Sequence, residues 1–170
     1  MPAGSTYTPI ATTTLGSNQT SVTFSTLGSY TDLVLIINAG SDTVDNFVSL
    51  EFNSDTTINN YSWTDLVGNG TSATSHRATS TGYIAPYVGI GTSIDTNIVC
   101  NIQNYGNSTT YKTCITRANR ATSTGTYYGA NATVTLWKNT AAITSIKVKS
   151  SSTYNFITGS TFTLYGIASA

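Results

Sequence analysis

Apolar and polar residues alternate one by one in short runs along this chain, and turn-forming residues separate the runs. The clearest run is VSLEFN (48–53), in which Val48, Leu50 and Phe52 share one side of an extended backbone while Glu51 falls on the solvent side. Side chains of a strand point alternately to opposite faces, whereas those of a helix repeat about every 3.6 residues. No stretch of the sequence shows the helical period. The pattern predicts an all-β protein.

Runs of this kind predict eight or nine strands. They lie at 21–25, 32–38, 48–53, 83–90, 97–117 (a hairpin), 132–138, 143–149 and 160–168. Pro86 cannot donate a ladder hydrogen bond, which places its strand at a sheet edge. The connection NTAA (139–142) has hairpin length, so its flanking strands are expected to pair. The polar stretch 54–82 is predicted to be a loop with one short strand near YSWTDLV (61–67).

The composition supports one packed β domain. Only 8% of the 170 residues are charged, but 39% are apolar and they cluster in the runs. Threonine is abundant and there are eleven tyrosines, and both residue types favour half-buried strand surfaces. We predict a two-sheet antiparallel β-sandwich of the jelly-roll type over residues 21–170. Residues 1–20 are expected to form an N-terminal arm of the same unit.

The segment 97–117 permits a prediction of register. A two-residue loop at Gly106-Asn107 suits a tight hairpin. With Tyr105 facing Ser108, Ile98 lies opposite Ile115, and the apolar residues share one face. Cys100 then lies opposite Thr113, and Cys114 falls on the other face. We therefore expect two free thiols and no disulfide.

Charge and hydropathy argue against several classes of partner. Seven basic and seven acidic residues give zero formal net charge. The densest basic group, Lys112, Arg117 and Arg120, fits a solvated strand face better than the basic stripe of a nucleic-acid-binding protein. No apolar run approaches the ~20 residues of a membrane-spanning helix. The N-terminus lacks a signal-peptide pattern, so we expect the protein to be made and folded in a cytoplasm.

No arrangement of residues predicts catalysis. His76, the single histidine, lies in a polar run and is interpreted as an ordinary loop residue. Glu51 and Asp55 are close in sequence, but we interpret them as solvated carboxylates rather than a glycosidase pair. Two cysteines and one distant histidine do not make a zinc site. The sequence thus predicts neither an enzyme nor a bound metal or cofactor.

Aromatic residues in polar segments remain as candidates for an interaction site. They are Tyr61, Trp63, Tyr127 and Tyr128. Exposed aromatic rings can stack on sugars or pack against a protein partner. The alternative is that they cap the ends of the sandwich core, and the sequence leaves both interpretations open.

The run FTLYGI (162–167) ends almost at the C-terminus. An unpaired strand there would be an open edge that favours aggregation, so we expect it to pair within a sheet. Its alternation places Phe162, Leu164 and Gly166 on the core side. The last strand is therefore predicted to close the sandwich.

Four segments resemble a group of small β-sandwich proteins from the particles of tailed bacteriophages. They are YTDLVLIIN (30–38), FNSDTTINNYS (52–62), IQNYGNSTTYKT (102–113) and NFITGSTFTLYGI (155–167). The resemblance implies a virion surface component without catalytic residues, often trimeric. Such proteins are head decoration (cement) proteins or modules of tail fibres.

Two roles follow from this resemblance. A decoration protein would bind the major capsid protein on the outside of the phage head, with Tyr7, Pro9 and Ile10 of the N-terminal arm as candidate contacts. A tail-fibre module would bind a receptor or host surface saccharide through the loop aromatics. A fibre usually needs a coiled-coil shaft, and the chain contains no heptads. Because the chain also begins almost directly with the sandwich, the sequence favours a decoration protein of the virion.

Overall fold

The computed structural model describes residues 6–43, 46–81, 89–121, 128–150 and 153–168. All regular elements in these ranges are strands, as predicted from the alternation. They are β1 (Tyr7–Thr14), β2 (Ser21–Phe24), β3 (Asp32–Ala39), β4 (Asn46–Phe52), β5 (Tyr61–Gly68), β6 (Ala73–Thr81), β7 (Gly89–Ile90), β8 (Thr96–Ile102), β9 (Lys112–Ala121), β10 (Tyr128–Trp137), β11 (Ile146–Ser150) and β12 (Thr161–Ile167).

The strands form two antiparallel sheets that pack on a common core. One sheet has eight strands in the order β1-β12-β3-β8-β9-β10-β5-β6, and the other has four in the order β2-β11-β4-β7. The four strands β1-β12-β3-β8 and the four-stranded sheet together follow the two interleaved Greek keys of a jelly roll. The predicted sandwich class is confirmed.

Two inserted strand pairs widen the larger sheet beyond β8. The pair β5–β6 is inserted in the sequence between β4 and β7, and the pair β9–β10 is inserted between β8 and β11. The polar stretch 54–82 therefore contains two long strands, not one short one. Its β6 was missed because a polar edge strand such as ATSHRATST carries no apolar alternation.

The C-terminal strand closes the larger sheet as predicted. β12 lies between β1 and β3, and Phe162 and Leu164 are fully buried. Gly166 also faces inward, where a Cβ would lie 2.3 Å from the ring of Tyr30. This close approach requires glycine because the Tyr30 ring occupies the space of a side chain.

The predicted N-terminal arm is wrong for its described part. Residues Tyr7–Thr14 form β1, which pairs with β12 on both sides of a register shift at Ile10. Ile10 is half-buried and packs against the core, while Tyr7 and Pro9 are exposed. Threonine-rich segments form strands readily when a neighbouring strand supplies the hydrogen bonds, and β12 does so here.

The predicted register of the β8–β9 hairpin is also wrong. Ile98 lies opposite Ala118 and Cys100 opposite Thr116, so the pairing is displaced by three residues. The connection is a longer loop, because Tyr105 is buried and its hydroxyl donates to the Gly28 carbonyl at 2.7 Å. An odd displacement reverses the faces of β9. Both cysteines therefore point inward, where they remain free thiols.

Two other strand predictions need correction. β10 and β11 do not pair across NTAA, because β10 belongs to the larger sheet while β11 pairs with β2 and β4. The connection therefore crosses between sheets. Of the predicted strand 83–90, residues 83–88 lie outside the described ranges, and Gly89–Ile90 form β7 at the edge of the smaller sheet.

Candidate functional site

The two carboxylates considered for catalysis have structural partners. Glu51 is buried, not solvated, and its carboxylate lies 2.5 Å from the Lys149 ammonium. Asp55 accepts hydrogen bonds from Trp137 Nε1 and Asn60 Nδ2, both at 2.8 Å, and from the Thr57 amide at 2.9 Å. Partial burial raises the pKa of Asp55, but these hydrogen bonds outweigh it and lower the pKa to about 2.

His76 lies on strand β6 and not in a loop. Its Nδ1 is 3.0 Å from Asp65 Oδ1, and the same oxygen accepts the His76 backbone N–H at 2.8 Å. The Asp65 side chain is fully buried, whereas that of His76 is 41% exposed. The two hydrogen bonds hold the edge strand β6 on β5. Within the described ranges, no three His, Cys, Asp or Glu side chains cluster as metal ligands.

Of the candidate aromatic residues, the two whose side chains the structure describes, Tyr61 and Trp63, do not form an exposed surface. Tyr61 is fully buried, stacks on Trp137 with ring centroids 6.3 Å apart, and donates its hydroxyl to the Asp55 carbonyl. Trp63 is half-buried and shares the inward side of β5 with Tyr61. Tyr127 and the side chain of Tyr128 lie outside the described residues. The interpretation of Tyr61 as a glycan contact is wrong, because it caps the core.

An apolar surface that the sequence analysis missed lies on the opposite side of the larger sheet. We call it the outward face and define it by the outward side chains of β8, β9, β10, β5 and β6. Those in the centre of the face are Val99, Asn101, Ile115, Arg117, Ala132, Val134, Thr64, Leu66, Ser75 and Arg77. Four of the five strands belong to the inserted pairs, so the insertions build this surface.

The outward face exposes large apolar side chains next to one another. Leu66 is 64% exposed, Val134 57% and Ile115 41%. Val134 lies directly opposite Ile115, and Leu66 lies opposite Ala132 on the adjoining strand. A shallow trough of about 590 Å³ runs along the small side chains of this region. Single exposed apolar residues are ordinary, but a contiguous group on a rigid sheet is typical of an interaction surface.

The predicted basic group does not form one patch. Lys112 is buried and donates to the carbonyls of Thr110 and Thr140. Burial lowers the pKa of Lys112. Arg120 points inward and pairs with Asp95 at 3.3 Å. Of the three residues in this group, Arg117 alone is exposed on the outward face. A second exposed arginine on that face, Arg77 of β6, does not belong to the group.

Comparison with known proteins adds no assignment. No protein family, curated protein or solved structure matched the chain. The described part of the chain also contains no helix with the length and hydropathy of a membrane span.

The sequence did not reveal this surface because apolar alternation does not show whether a face is covered by the core or by a partner. Ile115 and Val134 belong to apolar alternations that look the same whether their side chains face a core or a partner. Leu66 lies in a stretch interpreted mainly as loop. A useful signal was available in VTLW (134–137), because an apolar residue on each side of an alternating strand indicates cover on both faces.

Proposed function

We propose that the protein is a non-enzymatic structural protein of a virion, namely a capsid decoration (cement) protein that binds the outer surface of a phage head. The observation that carries the proposal is the outward face, where Leu66, Val134 and Ile115 are exposed in two neighbouring cross-strand rows of one sheet. Burying such a surface against another protein is favourable by ~25 cal/mol for each Å² of apolar area removed from water. The virion assignment itself rests on the resemblance of the sequence.

The fold agrees with this role without selecting it. Jelly rolls occur in viral capsid proteins, lectins and cupins, so the architecture alone does not identify a function. What distinguishes this chain is that the inserted strands extend the larger sheet and create a wide outward face. A broad, shallow surface suits a protein partner better than a small molecule, which usually binds in a deep pocket.

The proposed partners are the major capsid protein and further copies of the chain. A cyclic homotrimer joins two different surfaces of neighbouring subunits, so it does not require one outward face to pack on another. A trimer would also bind several capsid subunits simultaneously and gain avidity. In this proposal the protein is made in the host cytoplasm and is located on the virion.

Glycan recognition by a tail fibre is the weaker alternative. Its candidate residue Tyr61 is buried in the core, and Trp63 is half-buried on the inward side. Sugar binding by aromatic residues needs an accessible ring face. The exposed aromatic residues Tyr7, Tyr111 and Tyr154 lie on separate segments of the chain.

Immunogold electron microscopy tests the proposal. An antibody raised against the purified chain is applied to particles produced by the phage genome that encodes it. We expect regular labelling over the head. Labelling confined to the tail would replace decoration by a fibre role, and unlabelled particles alongside labelled infected cells would refute the virion assignment.

A further inference from the structure

Two exposed arginines flank the apolar part of the outward face. Arg117 of β9 shares a cross-strand row with Ala132 and Leu66, and Arg77 of β6 shares the next row with Val134. The two arginine positions are separated by three strand spacings across the sheet and by two residues along the strands. This separation places them roughly 15 Å apart. The apolar side chains occupy the space between them.

Neither arginine has an acidic partner within the described residues. Outward positions of β8, β9, β10, β5 and β6 carry no Asp or Glu, because Asp65, the one acid in these strands, points inward. An apolar surface with a cation at each end is complementary to an apolar surface that carries carboxylates. Charge complementarity of this kind fixes the register of two proteins and excludes competing partners.

A second copy of the chain is poorly suited to supply those carboxylates. Each acidic residue in the described ranges has a hydrogen-bond or ion-pair partner in its own chain, which a contact with a second copy would have to share or replace. These residues are Asp32 (Asn104 amide), Asp42 (Asn155), Glu51 (Lys149), Asp55 (Trp137), Asp65 (His76) and Asp95 (Arg120). Pairing two outward faces would bring four arginines together without a counter-charge, which is unfavourable.

We propose that the outward face binds an apolar protein surface that presents carboxylates to Arg77 and Arg117, and that this surface belongs to a different protein. The inference rests on the proposed function, in which that protein is the major capsid protein. It adds the chemistry of the contact: Leu66, Val134 and Ile115 supply the apolar area, and the arginines select the partner and its orientation. Arginine suits this role because its planar guanidinium can bind a carboxylate through two hydrogen bonds.

Charge reversal tests the inference on particles that lack the chain, prepared from the same phage by deleting its gene. Cosedimentation measures binding of the wild type and of the Arg77→Glu/Arg117→Glu double variant. We expect the double variant to bind roughly 10- to 100-fold more weakly. Lys147→Gln is the control and is compared with the single variant Arg117→Gln, because each removes one positive charge and Lys147 lies on the outer side of the smaller sheet. This control is expected to bind like the wild type.

Further measurements distinguish loss of the charge contact from a change in oligomeric state or a loss of folding. Raising the salt from about 50 mM to about 500 mM should weaken binding of the wild type more than binding of the double variant, since salt screens charge pairs. Analytical ultracentrifugation of the purified proteins should show the same oligomeric state for both, and thermal melting should show that both are folded.

The outcomes are distinct. Wild-type binding by the double variant would refute the carboxylate contact while leaving a head-labelled decoration protein intact. Equal weakening by Lys147→Gln and Arg117→Gln would also refute it, because the effect would then be one of net charge. Dissociation of an oligomer by the arginine substitutions would assign the face to a second copy. If the deletion particles do not bind the chain and wild-type particles do not carry it, the inference is refuted together with the proposed function.

Discussion

Replacing Asp55 by Asn should destabilise the protein at neutral pH by about 2–3 kcal/mol. Asp55 Oδ1 accepts the Thr57 amide, and Oδ2 accepts both Asn60 Nδ2 and Trp137 Nε1. An asparagine accepts through only one oxygen, so its NH₂ group would face a donor in either orientation: the Thr57 amide, or the side chains of Asn60 and Trp137. Trp137 is 1% exposed, so in the second orientation its N–H would lose its partner inside the protein. A hydrogen bond to a charged group contributes about 1.5–3 kcal/mol.

The same contacts lower the pKa of Asp55, and the size of the shift bounds their contribution to stability. A fall from 3.8 to about 2 corresponds to at most ~2.4 kcal/mol of stabilisation. Solvent reaches part of the side chain, so screening reduces the expected contribution to about 1–2 kcal/mol. Because the folded-state pKa is the lower one, this stabilisation is present above pH 3.8 and is lost as the pH falls towards 2.

Urea unfolding followed by circular dichroism at pH 6 and pH 2 tests both expectations. Other acids titrate in the same window, so the informative quantity is the difference between the wild type and Asp55→Asn. That difference should be about 2–3 kcal/mol at pH 6 and about 1–2 kcal/mol smaller at pH 2. A difference that is negligible at pH 6, or that does not change with pH, would show that the carboxylate does not hold Trp137.

Three further substitutions test the packing of the core, and one deletion tests the edge of the larger sheet. Leu50→Ala and Phe162→Ala should each cost about 2–5 kcal/mol, because both side chains are buried and leave cavities; wild-type melting of either variant would contradict the assigned facing. Gly166→Ala should cost about 1–3 kcal/mol by clashing with Tyr30, and thermal melting should show a smaller cost in a Tyr30→Ala background. Deleting residues 2–14 should destabilise the fold by about 2–4 kcal/mol, since β1 pairs with β12; unchanged urea unfolding would restore the interpretation of a free arm.

The fold class and the closing role of β12 could be predicted from the sequence, for a local reason. Alternation with a period of two records which residues face a core, and it is strong in VSLEFN and FTLYGI. Two strands have weak alternation and were not predicted. The segment of β1 was interpreted as an arm, and that of β6 as a loop. Both lie at the edges of the larger sheet, where packing imposes little pattern on the sequence.

Strand alternation depends only on neighbouring residues, so the amino-acid sequence is enough to predict an antiparallel sandwich for this chain. The tertiary structure alone decided the register of β9 and the burial of Tyr61. Local pairing placed Ile115 inward, but burying Tyr105 lengthened the loop and displaced the strand by three residues, which turned Ile115 outward. The hydroxyl of Tyr61 is satisfied inside the protein by backbone groups of Phe52 and Asp55. The register of β9 depends on contacts that exist only after folding, so local patterns alone do not place Ile115 beside Val134 on the outward face.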